Sequence, residues 1–416
     1  MYINLANIDF NPGQGGGGVK PSGTLEISGN GIYNVYSYAS ASVDIHPSIS
    51  LLETYISNGV YNITGEFNGG IVNVNVPTDG INGWDQKSFT EGVIEIINVY
   101  NSASFVASSM FMSNKKIKTV NLPYATSVGV RAFRMCTSLS QVNLPMCDYI
   151  GFDAFWGCWS LSQFSLPVCT YISDSAFGSC RSLTQVDLPM CSYIGKSAFG
   201  GCSKLTQVNL PMCNYIDSSA FITCRSMTQI SLPVCTYIGD AAFFAYRPLT
   251  QVDLPMCSYI GNSAFAGCRS ITQISLPVCT YIGAQAFNGC SSITQISLPV
   301  CSYIGDAAFT RCYSITQISL PVCSYIGEDT FNECSSITQI SLPVCSYIGN
   351  GAFNGCSLLS IITIGYSDMC VVGSNTFNAT PITEGTGSIY VPASLVDTYK
   401  SAETWSVFSS QIFPIE

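Results

Sequence analysis

The chain has 416 residues, 47% of them hydrophobic and only 10% charged, with a formal net charge of -10 at pH 7 and one histidine, His46. Its few cations form no dense run, so a phosphate backbone has nothing to hold it and nucleic acid is not an expected partner. No apolar run reaches the roughly 18 to 20 residues of a membrane span, and a single histidine leaves no basis for His-dependent catalysis, so neither membrane insertion, nor enzyme activity, nor a bound cofactor is expected.

Residues 1–20 read as an extended arm ending in a glycine linker, Gly13 to Gly18. No strand-helix unit with a lysine in place follows those glycines, so they form no phosphate loop. The opening MYINLANIDFNPGQGG has no basic start ahead of an apolar core and does not read as a secretory signal. Residues 21–77 hold two related stretches, SGTLEISGNGIYNVYSYASASVDIHP and LLETYISNGVYNITGEFNGGIVNVNVP, with Asn30-Gly31 and Asn58-Gly59 at equivalent sites. Asn-Gly between alternating segments is a hairpin signal, which predicts two tandem small β-modules. Residues 78–92 read as a linker, and 93–116 as a degenerate first coil in which Phe111 falls 22 residues before Phe133.

From Ile117 to Leu358 eleven units of 22 residues follow one another without insertion. The recurring pattern is an aliphatic at positions 1, 4 and 6, Pro at 7, Cys at 9, Tyr-Ile-Gly at 11 to 13, Ala-Phe at 16 and 17 and Cys at 20, complete in ITQISLPVCTYIGAQAFNGCSS from Ile271. This period marks a solenoid of stacked coils, none of which can bury its apolar face alone. Within a coil, residues 1 to 6 read as the main strand, with 4 and 6 inward and 3 and 5 on a concave surface. The Tyr-Ile-Gly segment reads as a second short strand, and positions 14 to 20 as a helical turn facing Ala-Phe inward. Most units carry either Val at 4 with Met at 8 or Ile at 4 with Val at 8, as expected either if both positions face the core and conserve its volume or if two ancestral cassettes were simply duplicated. After Leu359 the pattern degenerates with about two extra residues. Residues 381–416 are expected to cap the stack with a strand and a short helix from Leu395, Ser394 being its cap.

Ten of the 21 cysteines stand at position 9 (Cys147 to Cys345) and ten at position 20 (Cys136 to Cys356, with Tyr246 in the remaining place), while Cys370 lies outside both columns. Side chains in adjacent coils run parallel about 4.8 Å apart, whereas a disulfide needs facing Cβ atoms about 3.5 to 4.5 Å apart. No C-x-x-C pair or histidine partner suggests zinc. The columns therefore read as buried thiols donating weakly to loop carbonyls, suited to folding in a reducing compartment.

The run LxxIxLPxCxYIGxxAFxxC resembles the BspA-like leucine-rich repeats, which occur on the surfaces of gut and oral bacteria, in some protozoa and in bacteriophage adhesion proteins. The resemblance implies an α/β repeat fold: a right-handed leucine-rich-repeat solenoid with a parallel β-sheet over residues 93–380, preceded by small all-β modules. The G-x-Y-N-V phrase of the modules is similar to short modules of phage and prophage structural proteins.

Two rows of side chains are candidate ligand surfaces. Position 3 is Gln in ten units (Gln141, Gln163, Gln185, Gln207, Gln229, Gln251, Gln273, Gln295, Gln317 and Gln339), next to Ser, Asn or Asp at position 5. Such amides and hydroxyls either hydrogen-bond a glycan or polypeptide or form solvated ladders. Position 11 is Tyr in ten units (Tyr149, Tyr171, Tyr193, Tyr215, Tyr237, Tyr259, Tyr281, Tyr303, Tyr325 and Tyr347), either an exposed aromatic stripe for sugars or proteins or rings packed along the coil edge. No catalytic or metal-binding set appears. The arm, the modules, the thiols and the missing secretory start point to a non-enzymatic adhesion or fibre protein of a bacteriophage or prophage virion. Its arm would contact other virion proteins and its solenoid a cell-surface glycan or protein; a homo-oligomer stays open. The alternatives are a BspA-like bacterial cell-surface adhesin and an intracellular scaffolding protein.

Overall fold

The computed structural model describes residues 125–416 without a break and most of 105–122. Before these it describes only the strand segments Tyr2–Asn4, Thr24–Ile27, Ile32–Ser37, Ser42–Ile45, Leu51–Ile56, Ile71–Asn75 and Ile96–Asn98. The glycine linker, the two Asn-Gly turns, His46 and the 78–92 linker lie outside the described residues. By internal contacts the chain divides into two compact units, Met1–Cys191 with Gly201–Leu205, and Ser192–Gly200 with Thr206–Glu416. The same coil builds both.

Each regular coil is a turn of a parallel β-solenoid with two short strands, one at positions 3 to 5 and one at 11 and 12. In the first unit, Thr119–Asn121, Gln141–Asn143 and Gln163–Ser165 pair in register, Gln141 opposite Gln163. Ser127–Val128, Tyr149–Ile150 and Tyr171–Ile172 pair likewise. In the second unit the first type runs in register from Gln229–Ser231 to Gln317–Ser319, and the second from Tyr193–Ile194 to Tyr347–Ile348. Register is held by the alternation itself, because a slip of one residue would bring the position-4 aliphatic out and the Gln in.

The core consists of the repeat's apolar columns. The aliphatics at positions 1, 6 and 12, the cysteines at 9 and 20, the alanine at 16 and the phenylalanine at 17 are essentially without solvent contact. The Phe rings stack: Phe111, Phe133, Phe155 and Phe177 at 5.0 to 5.1 Å in the first unit, and Phe199 through Phe353 at 5.2 to 5.5 Å in the second. Where Thr330 replaces Ala at position 16 it is fully buried, and its hydroxyl is satisfied by the carbonyls of Gly305 and Gly327.

The thiols are hydrogen-bond donors. Position-20 Sγ atoms donate to the carbonyl of the preceding coil's Phe, as Cys268 does to Phe243 at 3.3 Å and Cys356 to Phe331 at 3.1 Å. Position-9 Sγ atoms donate to the carbonyl two residues on, as Cys279 does to Tyr281 at 3.3 Å. Tyr246 keeps the role of the cysteine it replaces, its buried hydroxyl donating to the Phe221 carbonyl. Cys370, placed by sequence outside the columns, is fully buried, and its Sγ donates to the Val371 carbonyl at 3.6 Å.

Three further expectations are corrected. Positions 14 to 19 form a turn and no helix. N–H groups at 15, 17 and 19 donate to carbonyls at 14, 16 and 18 of the next coil, as in Gln285 to Asp306 (2.7 Å), Phe287 to Ala308 (2.8 Å) and Gly289 to Thr310 (2.8 Å). A helix would send them back along its own chain. Left-handed residues at 15 and 19 turn the N–H groups along the stack, with φ of 51° to 64° wherever they are not glycine. Second, position 8 points outward: Met146, Met190, Met212 and Met256 are 51 to 55% exposed, so Met and Val there do not conserve core volume. The turn that follows the position-6 aliphatic rotates position 8 away from the inward face. Third, Ser394 caps nothing. It lies inside the 3-10 turn Ala393–Leu395, and the helix Val396–Ser401 begins with no side-chain cap. The end of the second unit is closed by Tyr399 and Trp405, both buried: the Cys370 N–H donates to the Tyr399 hydroxyl and Trp405 Nε1 to the Cys370 carbonyl, each at 2.8 Å.

Left-handed backbone costs an L-residue roughly 1 to 2 kcal/mol, while glycine adds under 1 kcal/mol of unfolded-state entropy. Ala241→Gly and Ala307→Gly, at φ 52° and 54°, are therefore expected to stabilise the fold by about 0.5 to 1 kcal/mol each, read as a raised midpoint in urea unfolding.

Candidate ligand-binding surfaces

All ten position-3 glutamines are exposed, because alternation along a strand whose middle residue faces the core must turn its neighbours out. In the second unit a shallow groove of about 470 Å³ runs across Gln251, Asp253, Gln273, Ser275, Gln295 and Ser297, floored by Val252 and Ile274. In the first, a groove of about 430 Å³ is lined by Gln141, Asn143, Gln163, Phe164 and Ser165. The hydroxyls and amides beside the glutamines are partly spent on the stack itself: Thr250 Oγ1 donates to the Thr228 carbonyl at 3.0 Å, Ser231 Oγ to Asp253 Oδ2 at 3.0 Å, and Asn143 Nδ2 to Asn121 Oδ1 at 2.9 Å. The amides of Gln251, Gln273 and Gln295 have no hydrogen-bond partner among the described residues and line the groove.

The tyrosines stack instead of presenting their faces. Tyr149 and Tyr171 lie 5.4 Å apart in the first unit. In the second, Tyr193, Tyr215, Tyr237, Tyr259, Tyr281, Tyr303, Tyr325 and Tyr347 follow at 4.3 to 5.1 Å with planes within 11°. Only Tyr149, at the start of its row, is exposed; the others are half-buried. Ring faces closed against one another cannot stack on a sugar, which leaves edges and hydroxyls as the available surface. The Tyr193 hydroxyl donates to Asp217 Oδ2 at 3.0 Å, and burial pushes the Tyr237 hydroxyl up to about 12.

Sequence reasoning missed an apolar surface, the outward row at position 8. In the second unit it comprises Met212, Val234, Met256, Val278, Val300, Val322 and Val344, each 37 to 53% exposed. Met and Val invite an inward reading, and the available signal was the recurring Pro at position 7, which ends the strand and with it the alternation. Among the described residues no group of His, Cys, Asp and Glu is placed to hold a metal ion, and no helix is long and apolar enough to cross a membrane.

These coils define a parallel β-solenoid of the leucine-rich-repeat type. The BspA type leucine rich repeat region model matches residues 48–162, 148–271 and 258–383, and the chain belongs to that family. The fold is similar to that of a leucine-rich repeat protein from Bacteroides ovatus ATCC 8483, 22% identical, with 94% of this chain and 92% of that one covered and a TM-score of 0.56. A leucine rich cell surface protein from Faecalibacterium prausnitzii A2-165 is 21% identical over 74% of this chain and 86% of its own, with a TM-score of 0.40. No curated protein matches the chain.

Proposed function

We propose that the chain is a non-enzymatic adhesin of a bacterial cell surface, binding a host polypeptide along the position-8 ridge and the flanking glutamine face. The observation that carries this reading is the unbroken row of exposed Met and Val side chains in the second unit. A contiguous apolar strip rimmed by polar groups suits protein contact. Family membership supports a binding scaffold, and the closed tyrosine faces favour a polypeptide over a glycan. The virion reading rests on the arm and modules, of which only strand segments are described, whereas the adhesin reading rests on the repeats.

The test is binding of the full chain to immobilised extracellular-matrix proteins and to epithelial cells, with a Val278→Lys/Val300→Lys double variant. Both side chains are solvent-exposed, so stability should stay within about 0.5 kcal/mol per site. Loss of binding by about tenfold or more, with circular dichroism unchanged, is expected; undiminished binding by the folded variant would remove the ridge from the interface.

A further inference from the structure

In most coils the outward positions of the long turn carry small or polar residues. The first unit departs from this, with Phe152, Trp156 and Trp159 in one coil and Arg131, Arg134 and Arg181 in the coils on either side. Phe152 and Trp159 are 37% and 44% exposed, and Arg131 and Arg181 are exposed. Each guanidinium lies over a ring: Arg131 over Phe152 at 5.4 Å, Arg134 over Trp156 at 4.6 Å and Arg181 over Trp159 at 5.5 Å. Arg131 and Arg134 are also held from one side by a single carboxylate. Their Nε atoms lie 3.5 and 3.3 Å from the same Asp153 Oδ2, whose side chain is only 12% exposed.

We propose that Arg131, Arg134 and Arg181, braced on Phe152, Trp156 and Trp159, form a docking surface for an acidic polypeptide segment, distinct from the position-8 ridge. Because the two paired arginines meet Asp153 through Nε, their terminal nitrogens are left for another acceptor, and Arg181 has no carboxylate within ion-pair distance among the described residues. Stacking on the rings fixes the planar forks, so a ligand carboxylate meets donors that have already lost their rotamer freedom. Charge complementarity points to an acidic partner: three arginines stand here against Asp153 and Asp174, in a chain whose net charge is -10. Aromatic and Arg side chains together are the composition of protein-interface hot spots. A saccharide fits less well, because the faces it would stack on are occupied. Trp156 is covered by Arg134 on one side and lies against Gly178, where an added Cβ would come within 2.6 Å of the indole.

The experiment is fluorescence anisotropy of a labelled glutamate-rich peptide titrated with the full chain, with heparin and a lysine-rich peptide in parallel. The glutamate-rich peptide should bind and weaken with salt, and Arg181→Gln and Trp159→Ser should each weaken it by about tenfold. Arg247→Gln, a charge-matched change in the second unit, should leave it unaltered. Circular dichroism verifies that each variant is folded; should Trp159→Ser unfold, Arg181→Gln alone decides, since its side chain lies in solvent. Absence of peptide binding, binding indifferent to Arg181→Gln, or binding of heparin in place of the peptide would each overturn the proposal.

Discussion

Raising the pH past about 9 is expected to unfold this protein cooperatively. Burial pushes the thiols of Cys147, Cys235, Cys268, Cys279 and Cys356 up to about 12, and that of Cys301 to about 11, from an ordinary 9.0. Because these folded-state values are raised, the native state holds its protons more tightly than the unfolded chain. The resulting stability is complete below the unfolded value of 9.0 and drains away as pH climbs from there toward 12. At pH 10 each such thiol gives up about 1.4 kcal/mol. Six of them give up about 8 kcal/mol, comparable with the whole stability of a typical domain. The check is far-ultraviolet circular dichroism across pH 8 to 11, with thiolate absorbance recorded alongside. Both signals should move together in one steep step, and at about pH 8 the folded chain should resist alkylation until denaturant is added. A gradual thiolate titration with the β-signal intact would show that the thiols reach water without unfolding.

That behaviour was partly legible in the sequence, for a geometric reason. Cysteines 22 residues apart in a 22-residue coil must lie side by side, so the thiols had to seek acceptors other than one another; the Phe and Tyr carbonyls are those acceptors. The aliphatic, Ala-Phe and Tyr-Ile columns were legible on the same basis, since identity at a fixed period means an identical environment in every coil. Positions 15 and 19 were not. Their left-handed backbone is occupied by Arg131, Asp153, Ser175, Ala241 and Gln285 among others, with glycine in only some coils. The next coil's carbonyls impose that geometry, so no side-chain signature of a left-handed residue survives. The helical reading of the same turn arose because the alanine at position 16, the phenylalanine at 17 and the cysteine at 20 share the spacing of a helix face.

The two candidate rows separate on the same physical ground. The glutamine face follows from alternation within a strand. The fate of the tyrosines depends on ring orientation, which periodicity leaves undetermined: in register, rings about 5 Å apart close on each other and lose the faces a sugar would use. Position 8 lies just beyond the strand, where neither alternation nor helical spacing applies, and there the apolar residue type misled.

Phe265→Ala is expected to be among the most damaging single substitutions in the second unit. The ring has no solvent contact and stacks on Phe243 at 5.2 Å and Phe287 at 5.4 Å. Removing it deletes a large buried side chain at a cost of about 3 to 5 kcal/mol and breaks two ring contacts of about 0.5 to 1.5 kcal/mol each. In a stacked array each coil is stabilised mainly by its neighbours, so the damage falls on the interfaces to both sides. Hydrogen exchange should therefore show protection lost first in residues 227–292, with the coils toward Leu358 holding longer. Met256→Ala, on the exposed ridge only nine residues earlier in sequence, should change stability by no more than about 0.5 kcal/mol. The contrast between the pair is the decisive readout, because it separates the ring's packing from its apolar character. If both substitutions cost the same, the phenylalanine column would not be the interior on which the coils stack.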